Sequence, residues 1–500
     1  MPKKKENLSP EERLIKAVIP KEEEPYKLPD NWVWTRLENI SEKISKGTTP
    51  RGGENVYVKD GIKFLRVENI TDTYELNFKN IKYVSDEIHN NFLKRSKLEE
   101  NDLLISIAGS LGRTAVVSKE DLPLNTNQAI AFVRFLIKNK LISKYFSYFF
   151  NAPIIKYLLL EQAKTTAIPN LTLEILNKSK IAFPPFNEQK RIVEKLDSLF
   201  EKTGKIKEII EEVKEKTSLR REAVLSKAFT GELTEKWRAE NKTENAKELL
   251  LKINEEKLKN NPKAKIKDVS EMLVNENEVP YKVPENWVWT RLGDITEKNQ
   301  YGYTAKAEQN GKIKYLRITD IQDNKVNWKT VPFCSIDERD LEKFKLKEND
   351  IVVTRTGATT GKSFLIESIN CEAVFASYLI RVRALNGLPK FLWNYMKANL
   401  YWKQITEFSS GIAQPGVNAQ KLENLLLPLP PLEEQKEIVR ILDKVFEEEN
   451  KISELISLEE KVEILEKTIL DKAFRGELGT GNADDEPAIE LLKKALEENE

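Results

Sequence analysis

Short runs of alternating apolar and polar residues fill two stretches of the chain, residues 25–185 and 280–431. β-branched and aromatic residues dominate these runs, and Gly, Asn, Asp or Pro bounds them, which is typical of strands between turns. Between the runs, apolar residues recur every three or four positions, which indicates helices. The clearest predicted elements are strands at 62–67, 103–107, 115–117 and 129–135 and helices at 143–157 and 388–402. We therefore predict an α+β fold class with two mixed α/β domains.

A coiled-coil pattern follows each predicted domain. Paired prolines at 184–185 and 430–431 suit helix starts, and Gly231 and Gly476 suit helix ends. About 44 residues at roughly 1.5 Å each give a rod of about 65 Å, and the matched lengths predict that the two helices pair. The predicted seams are Ile192, Leu196, Leu199, Thr203, Ile206, Ile210 and Val213, and then Ile438, Leu442, Val445, Glu449, Ile452, Leu455, Leu458, Val462, Leu465 and Ile469.

The two halves of the chain are copies of one unit. PYKLPDNWVWTRLENI at 25–40 returns as PYKVPENWVWTRLGDI at 280–295, and LEENDLLISIAGSLGR from Leu98 returns as LKENDIVVTRTGATTGK from Leu346. The helix starts (PPFNEQKRIV, PPLEEQKEIV) and helix ends (LSKAFTGEL, LDKAFRGEL) match in the same order. The matched segments lie about 250 residues apart, and a repeat of that length indicates duplication of whole domains. The predicted boundaries are 1–24 for a charged N-terminal segment, 25–185 and 280–431 for the domains, 186–240 and 432–478 for the helices, 241–279 for a linker and 479–500 for an acidic tail.

Composition narrows the functional class. The single histidine, His89, excludes His-based triads and paired-histidine metal sites, and two cysteines are too few for a disulfide framework. We interpret Cys334 and Cys371 as packing residues. The start of the chain has no apolar signal core, so we expect a cytoplasmic location. Residues 25–186 carry 23 basic against 17 acidic side chains and residues 280–432 carry 21 against 16, although the net charge is only +1. This excess of positive charge is compatible with DNA binding.

Two segments resemble catalytic motifs but lack features that those motifs require. GATTGKS at 357–363 has three residues between its glycines, whereas a Walker loop needs four. FPPF at 183–186 lacks the polar residue of an amino-methyltransferase motif, and its counterpart reads LPPL, so we interpret both as helix starts. We find no S-adenosylmethionine fingerprint and no persuasive nuclease carboxylates. We predict a chain that is not an enzyme and binds no metal or cofactor.

Loops that differ between the copies are the candidate DNA contacts, because their flanking sequences agree. SKGTTPRGG at 45–53 in the first copy corresponds to NQYGYTAKA at 299–307 in the second. Both segments offer hydroxyl, cationic or aromatic groups suited to phosphates and base edges. Trp32, Trp34, Trp287 and Trp289 recur identically and are interpreted as core. The candidate contacts are Lys46, Thr48, Thr49, Arg51, Arg66, Asn69, Arg113, Asn125, Asn127 and Gln128 in the first copy, and Tyr301, Tyr303, Thr304, Lys306, Arg317, Thr319, Arg355, Lys362, Ser377 and Tyr378 in the second.

Over residues 25–240 and 280–478 the chain resembles the specificity subunit of type I restriction-modification systems. The resemblance lies in the NW-W--RL, GTTP, END, PP---EQK-IV and KAF-GEL signals. It implies two target recognition domains held apart by two antiparallel helices, each domain reading half of a gapped, bipartite DNA site. It also implies two modification subunits that carry S-adenosylmethionine and methylate adenine, and two restriction subunits that use ATP and Mg²⁺ to cut DNA.

Two alternatives remain open from the residues alone. A protein-binding scaffold would show no salt-dependent or sequence-dependent DNA binding. A fused methyltransferase with a degenerate site would bind S-adenosylmethionine as an isolated chain. The linker at 241–279, with a helical pattern from Ala246 to Lys259, is either a connection or a docking site for a partner. For the acidic tail, we expect either solvent exposure or packing on a partner.

Overall fold

The computed structural model describes residues 9–163, 171–260, 262–263, 265–322, 325–409 and 416–497. The chain divides into two compact units, unit 1 with residues 1–210 and 457–500 and unit 2 with residues 211–456. Each unit therefore contains one of the predicted domains together with parts of both long helices. The combination of helices and sheets confirms the predicted α+β class.

The described residues up to Thr230 form six α-helices and nine strands. The helices are α1 (Pro10–Ala17), α2 (Asp86–Asn90), α3 (Lys140–Asn151), α4 (Pro153–Ala163), α5 (Leu173–Lys178) and α6 (Phe186–Thr230). The strands are β1 (Val33–Arg36), β2 (Ser41–Lys46), β3 (Ile62–Leu65), β4 (Lys82–Val84), β5 (Leu103–Ser106), β6 (Thr114–Val116), β7 (Leu124–Thr126), β8 (Ile130–Phe135) and β9 (Lys180–Phe183).

The second half repeats this order. Its helices are α7 (Glu235–Glu240), α8 (Ala246–Asn260), α9 (Val269–Met272), α10 (Glu338–Phe344), α11 (Pro389–Tyr395), α12 (Asn399–Ser409), α13 (Ala419–Glu423), α14 (Leu432–Ile456), α15 (Leu458–Phe474) and α16 (Ala488–Glu497). Its strands are β10 (Val288–Arg291), β11 (Gln300–Tyr301), β12 (Ile313–Leu316), β13 (Ile321–Gln322), β14 (Lys325–Val326), β15 (Phe333–Cys334), β16 (Ile351–Thr354), β17 (Ser363–Leu365), β18 (Ala373–Phe375), β19 (Leu379–Val382) and β20 (Leu426–Leu429).

Both units have the same sheet topology. Unit 1 contains a four-stranded antiparallel sheet, β2-β8-β5-β6, and a three-stranded sheet, β4-β3-β7, in which β3 and β7 are parallel. Unit 2 repeats them as β11-β19-β16-β17 and β15-β12-β18. A two-stranded ribbon, β1-β9 or β10-β20, carries the chain into the following long helix. The duplication seen in the sequence is thus a duplication of fold.

The predicted strands agree with β3, β5, β6 and β8 to within one or two residues. The two predicted domain helices were wrong in one respect, since each is two helices. In unit 1 the break falls at Ala152, because Pro153 cannot continue α3. In unit 2 the pattern at 388–402 divides between α11 and α12, with no proline at the break.

Four tryptophans form part of the cores, as predicted. Trp32, Trp34, Trp287 and Trp289 are each at most 6% exposed. Their indole nitrogens are satisfied identically, because the first of each pair donates to a buried glutamate and the second donates to a tyrosine carbonyl oxygen. A buried indole N–H without an acceptor would be costly, so these bonds explain why the NW-W signal recurs.

The long helices pair within each unit. In unit 1, α6 contacts α15 through Thr203 and Lys207, which bond both carboxylate oxygens of Glu466. In unit 2, Arg220 of α6 pairs with Glu448 of α14 at 3.2 Å. Rising residue numbers on one helix meet falling numbers on the other, so the pairing is antiparallel.

Two details of the predicted seams were wrong. Ile206, Leu458 and Leu465 are 42%, 38% and 49% exposed, so they do not lie in a buried seam. The second long helix is also not continuous, because α14 ends at Ile456 and α15 begins at Leu458. That break coincides with a slip in the apolar pattern, where alternating steps of four and three residues give way to consecutive steps of three at Ile452, Leu455 and Leu458.

The terminal segments and the linker are parts of the units. In unit 2, α8 and α9 pack on the domain, and Thr290 donates from its hydroxyl to the Met272 carbonyl oxygen. In unit 1 the same places are taken by α16 and α1, and Thr35 donates to the Ala17 carbonyl oxygen. Leu492 of α16 is fully buried, so the tail packs on its own unit and the expectation of solvent exposure was wrong. Packing of the tail on a partner stays a prediction.

Candidate nucleic-acid interface

A glycine at the same position of each copy sets the path of the variable loop. A Cβ on Gly47 would lie 2.1 Å from the Thr126 carbonyl oxygen, and one on Gly302 would lie 2.2 Å from the Ala376 carbonyl oxygen. Only glycine allows a backbone approach this close. The loop that follows β2 or β11 is thereby held against the segment that follows β7 or β18.

In unit 1 this approach brings several predicted contacts together. Thr48 donates its backbone N–H to the Thr126 carbonyl oxygen at 3.0 Å, and Asn127 donates its own to the Leu65 carbonyl oxygen. Lys46, Thr49, Arg51 and Gln128 are exposed around them. We name Lys46, Thr48, Arg66 and Asn127 the unit 1 loop face.

Arg95 belongs to this surface and was missed from sequence. Its guanidinium donates to the Thr48 hydroxyl from two nitrogens, each at 3.3 Å. Lys343 is its counterpart in the second copy, so the signal was a cation at a matched position. The residues that flank Arg95 and Lys343 differ between the two copies, which obscures the match between the two cations.

Two residues predicted to contact DNA have structural roles. Asn69 is 1% exposed; it accepts from the Arg66 backbone N–H and donates to the Asn77 carbonyl oxygen. Asn125 is fully buried and donates from Nδ2 to Nδ1 of His89 at 2.7 Å. Burial lowers the pKa of His89. Neither asparagine side chain presents a group to the surface.

The two remaining cations of unit 1 that were predicted to contact DNA are half-buried and ion-paired. Arg66 pairs with Glu68, while its Nε finds no acceptor within the part of the chain that is described. Arg113 pairs with Asp72 at 2.8 Å and lies on the turn between β5 and β6. Surface ion pairs of this kind contribute little to stability.

Unit 2 brings together aromatic residues and an arginine. The Arg355 guanidinium lies over the Tyr301 ring, 4.7 Å from its centroid, and the Arg355 backbone N–H donates to the Tyr378 carbonyl oxygen. Tyr378 is 58% exposed. Ser377 accepts weakly from Arg355 through its carbonyl oxygen at 3.5 Å, and Arg355 Nε has no acceptor among the described residues. We name Tyr301, Arg355 and Tyr378 the unit 2 loop face.

The other predicted contacts of unit 2 lie around this face. Thr304, Lys306, Thr319 and Lys362 are exposed. Tyr303 is half-buried and packs on Phe344, with their ring centroids 5.3 Å apart. Arg317 is held by both carboxylate oxygens of Asp320.

A buried ion pair in each unit explains the END signal. Arg134 binds Asp102 through two parallel hydrogen bonds of 2.9 and 2.8 Å, and Arg383 binds Asp350 in the same way at 2.6 and 2.9 Å. Both aspartates are fully buried, and desolvation raises the pKa of Asp102 despite its bonds to Arg134. The pairs join β5 to β8 and β16 to β19, and so fix the sheets that carry the loop faces.

The rejected motifs are structural. GATTGKS is the hairpin turn between β16 and β17 and is not followed by a helix. FPPF joins β9 to α6, as predicted. Within the described residues no three His, Cys, Asp or Glu side chains are grouped to hold a metal, and no helix there has the length and apolarity to span a membrane.

The chain matches a known family over both copies. Residues 29–215 and 284–460 match the family described as "Type I restriction modification DNA specificity domain". The chain belongs to this family, which confirms the resemblance drawn from the residues.

Curated relatives match over almost the whole chain. It is 31% identical over 458 residues to the type I restriction enzyme EcoBI specificity subunit of Escherichia coli, covering 90% of this chain and 86% of that protein. It is 26% identical to the EcoKI specificity subunit of Escherichia coli K12, covering 90% of each. The MjaVIII specificity subunit of Methanocaldococcus jannaschii is 23% identical, with 92% and 96% covered.

A solved structure supports the fold. It is described as the structural basis of complex assembly and conformational transition of the type I R-M system. Its chain superimposes with a TM-score of 0.64 at 20% identity, covering 91% of this chain and all of that chain.

Proposed function

We propose that this chain is the DNA sequence recognition subunit of a type I restriction-modification complex, in which each unit reads one half of a gapped, bipartite site. The observation that carries the proposal is the pair of loop faces, which occupy the same place on two copies of one fold but differ in chemistry. A shared scaffold with divergent loops is what two different half-sites require.

The two loop faces suit different tasks in recognition. Lys46 and Arg95 carry positive charge toward solvent in unit 1, and cations of this kind neutralise phosphates and make affinity salt-dependent. The Arg355 guanidinium, stacked on Tyr301, is restrained in orientation and is suited to a base edge. A good bidentate pair contributes about 1–3 kcal/mol of discrimination between bases.

Catalysis belongs to the partners in this proposal. The chain binds DNA and further subunits, and we expect two modification and two restriction subunits in the cytoplasm. S-adenosylmethionine, ATP and Mg²⁺ would bind to those subunits, and the products would be methylated adenine or cleaved DNA. The specificity chain contributes the choice of site.

Methylation mapping tests the proposal. DNA is incubated with this chain, its candidate modification subunit and S-adenosylmethionine, beside a reaction without this chain. We expect a gapped two-part motif that is absent from the control. Unmethylated DNA in the presence of an active, assembled partner would instead favour a protein-binding scaffold.

A further inference from the structure

A cavity of about 460 Å³ in unit 2 is lined by three cations from three different elements. Arg221 comes from α6, Lys362 from the turn between β16 and β17, and Lys397 from the segment between α11 and α12. No carboxylate lines the cavity among the residues that the structure describes. Arg221 also lies 4.0 Å from Glu449, but the three cations together make the potential of this space positive, which favours an anion within it.

Hydroxyl groups complete the lining. Thr354, Thr359 and Ser363 line the cavity together with Lys362, and Trp402 contributes to the same lining. Hydroxyls donate to anionic oxygens, and a guanidinium or ammonium adds charge-assisted hydrogen bonds. The set therefore matches the oxygens of a phosphate group.

Lys397 has an environment that a bound anion would relieve. Its ammonium lies 3.0 Å from the centroid of the Trp393 ring and 5.4 Å from that of Phe446, and it donates to Asn394 Oδ1 at 3.2 Å. The pKa of Lys397 is lowered to about 7, chiefly by burial; Arg221 and Lys390 also lower it, and Glu367 and Asp443 oppose the shift.

The first copy shows that the fold does not need a cation here. Asn151 holds the corresponding position and is neutral and buried. It donates to the Thr114 hydroxyl and to the Ser147 carbonyl oxygen, so the site is filled by a satisfied polar network. A half-buried lysine in its place is a cost that ligand binding would offset.

We propose that the cavity between Arg221, Lys362 and Lys397 binds a phosphate group. The phosphate comes either from the DNA backbone or from a free phosphate compound, because the chemistry is shared. The site is independent of the loop faces, and its existence does not require that they read bases.

Calorimetric titration of the full chain with inorganic phosphate, against chloride at matched ionic strength, tests the site. Loss of one charge-assisted hydrogen bond weakens binding by roughly 10-fold or more. We expect that loss in Lys362→Met and in Lys397→Met, and wild-type binding in Lys403→Met, whose side chain is exposed on α12. Lys362 is exposed, so its variant keeps the test valid if Lys397→Met fails to fold.

Proton uptake separates a specific site from general charge. At about pH 8, titrations in two buffers of different ionisation enthalpy should show proton uptake in wild type that is absent in Lys397→Met. No phosphate binding beyond chloride, or equal binding in wild type and both cavity variants, would overturn the proposal. Competition between phosphate and duplex DNA would identify the backbone as the source, and independent binding of both would identify a free phosphate.

Discussion

At the scale of single residues, the two copies separate residues that build the fold from residues that act. Trp32 and Trp287 bond equivalent partners in the two copies, and so do Asp102 and Asp350. Residues that differ, such as Asn151 and Lys397, have different environments. Comparing the copies therefore supplies information that one domain alone would not give.

The half-buried Lys397 predicts a pH dependence of stability in phosphate-free buffer. Its folded pKa of about 7 lies below the value of 10.5 in the unfolded chain, so the unfolded chain binds more protons between these values. This group's contribution to the free energy of unfolding should rise with pH from about 7 to 10 and be lost as pH falls through 7. Urea unfolding of wild type and Lys397→Met at several pH values measures it. Parallel stability curves would contradict the assignment.

Gly302 predicts a defect confined to one recognition domain. In Gly302→Ala the new Cβ would meet the Ala376 and Phe375 carbonyl oxygens, so the unit 2 loop face must move. We expect about 1–3 kcal/mol of destabilisation, with slower methylation at sites matched in the second half. Gly47→Ala is the matched variant for unit 1. Wild-type stability and methylation in both would show that the close approach is unimportant.

Sequence reasoning succeeded with residues whose role is local or repeated. The glycine helix ends, the packing tryptophans and the rejection of GATTGKS as a Walker loop follow from spacing and duplication. Asn69, Asn125 and Arg95 could not be assigned, because their partners Asn77, His89 and Thr48 depend on tertiary contacts. Burial of a polar side chain and exposure of another look alike in a single sequence.

At the scale of elements, the long helices show where a periodic pattern is reliable. The existence, start and end of α6 were predicted, and its antiparallel partner is confirmed within each unit. The exposure of Ile206 and Leu465 was not, because a heptad pattern identifies a face without showing how much of it the partner covers. The break at Ser457 appeared in the sequence only as a slip.

Gly204 predicts that α6 can be stabilised. A Cβ at this position meets nothing within 4 Å, and the residue lies in the helix interior. Gly204→Ala should therefore raise the free energy of unfolding by about 1 kcal/mol, the difference in helix propensity between the two residues. Thermal or urea unfolding checks this, with methylation specificity unchanged. A destabilised Gly204→Ala would mean that this face of α6 is occupied.

For the molecule as a whole, the two copies of the duplicated unit differ in where the chain is continuous. The linker joins α8 to α9 continuously in unit 2, whereas in unit 1 the equivalent α16 and α1 are the two ends of the chain. Residues of both ends, including Pro10 and Glu497, line one small cavity of unit 1. The linker and the tail are thus equivalent parts of the fold.

This arrangement predicts a functional circular permutant. The sequence has three residues after Glu497 and nine before Pro10, which together exceed the eight between Asn260 and Val269. Joining the ends directly and opening the chain between α8 and α9 should preserve folding and site preference. Circular dichroism and methylation mapping check both. A permutant that folds but methylates a different motif would contradict the equivalence.

The central claim, one recognition domain for each half-site, is tested most directly at a matched pair of positions. Lys46 and Tyr301 occupy equivalent positions in the two copies, one on each loop face. Methylation motifs are mapped for wild type, Lys46→Ala and Tyr301→Ala with the same modification subunit. We predict that each variant relaxes or weakens one half of the motif, a different half in each case, with the gap unchanged. Changes in both halves from a single variant would contradict the claim.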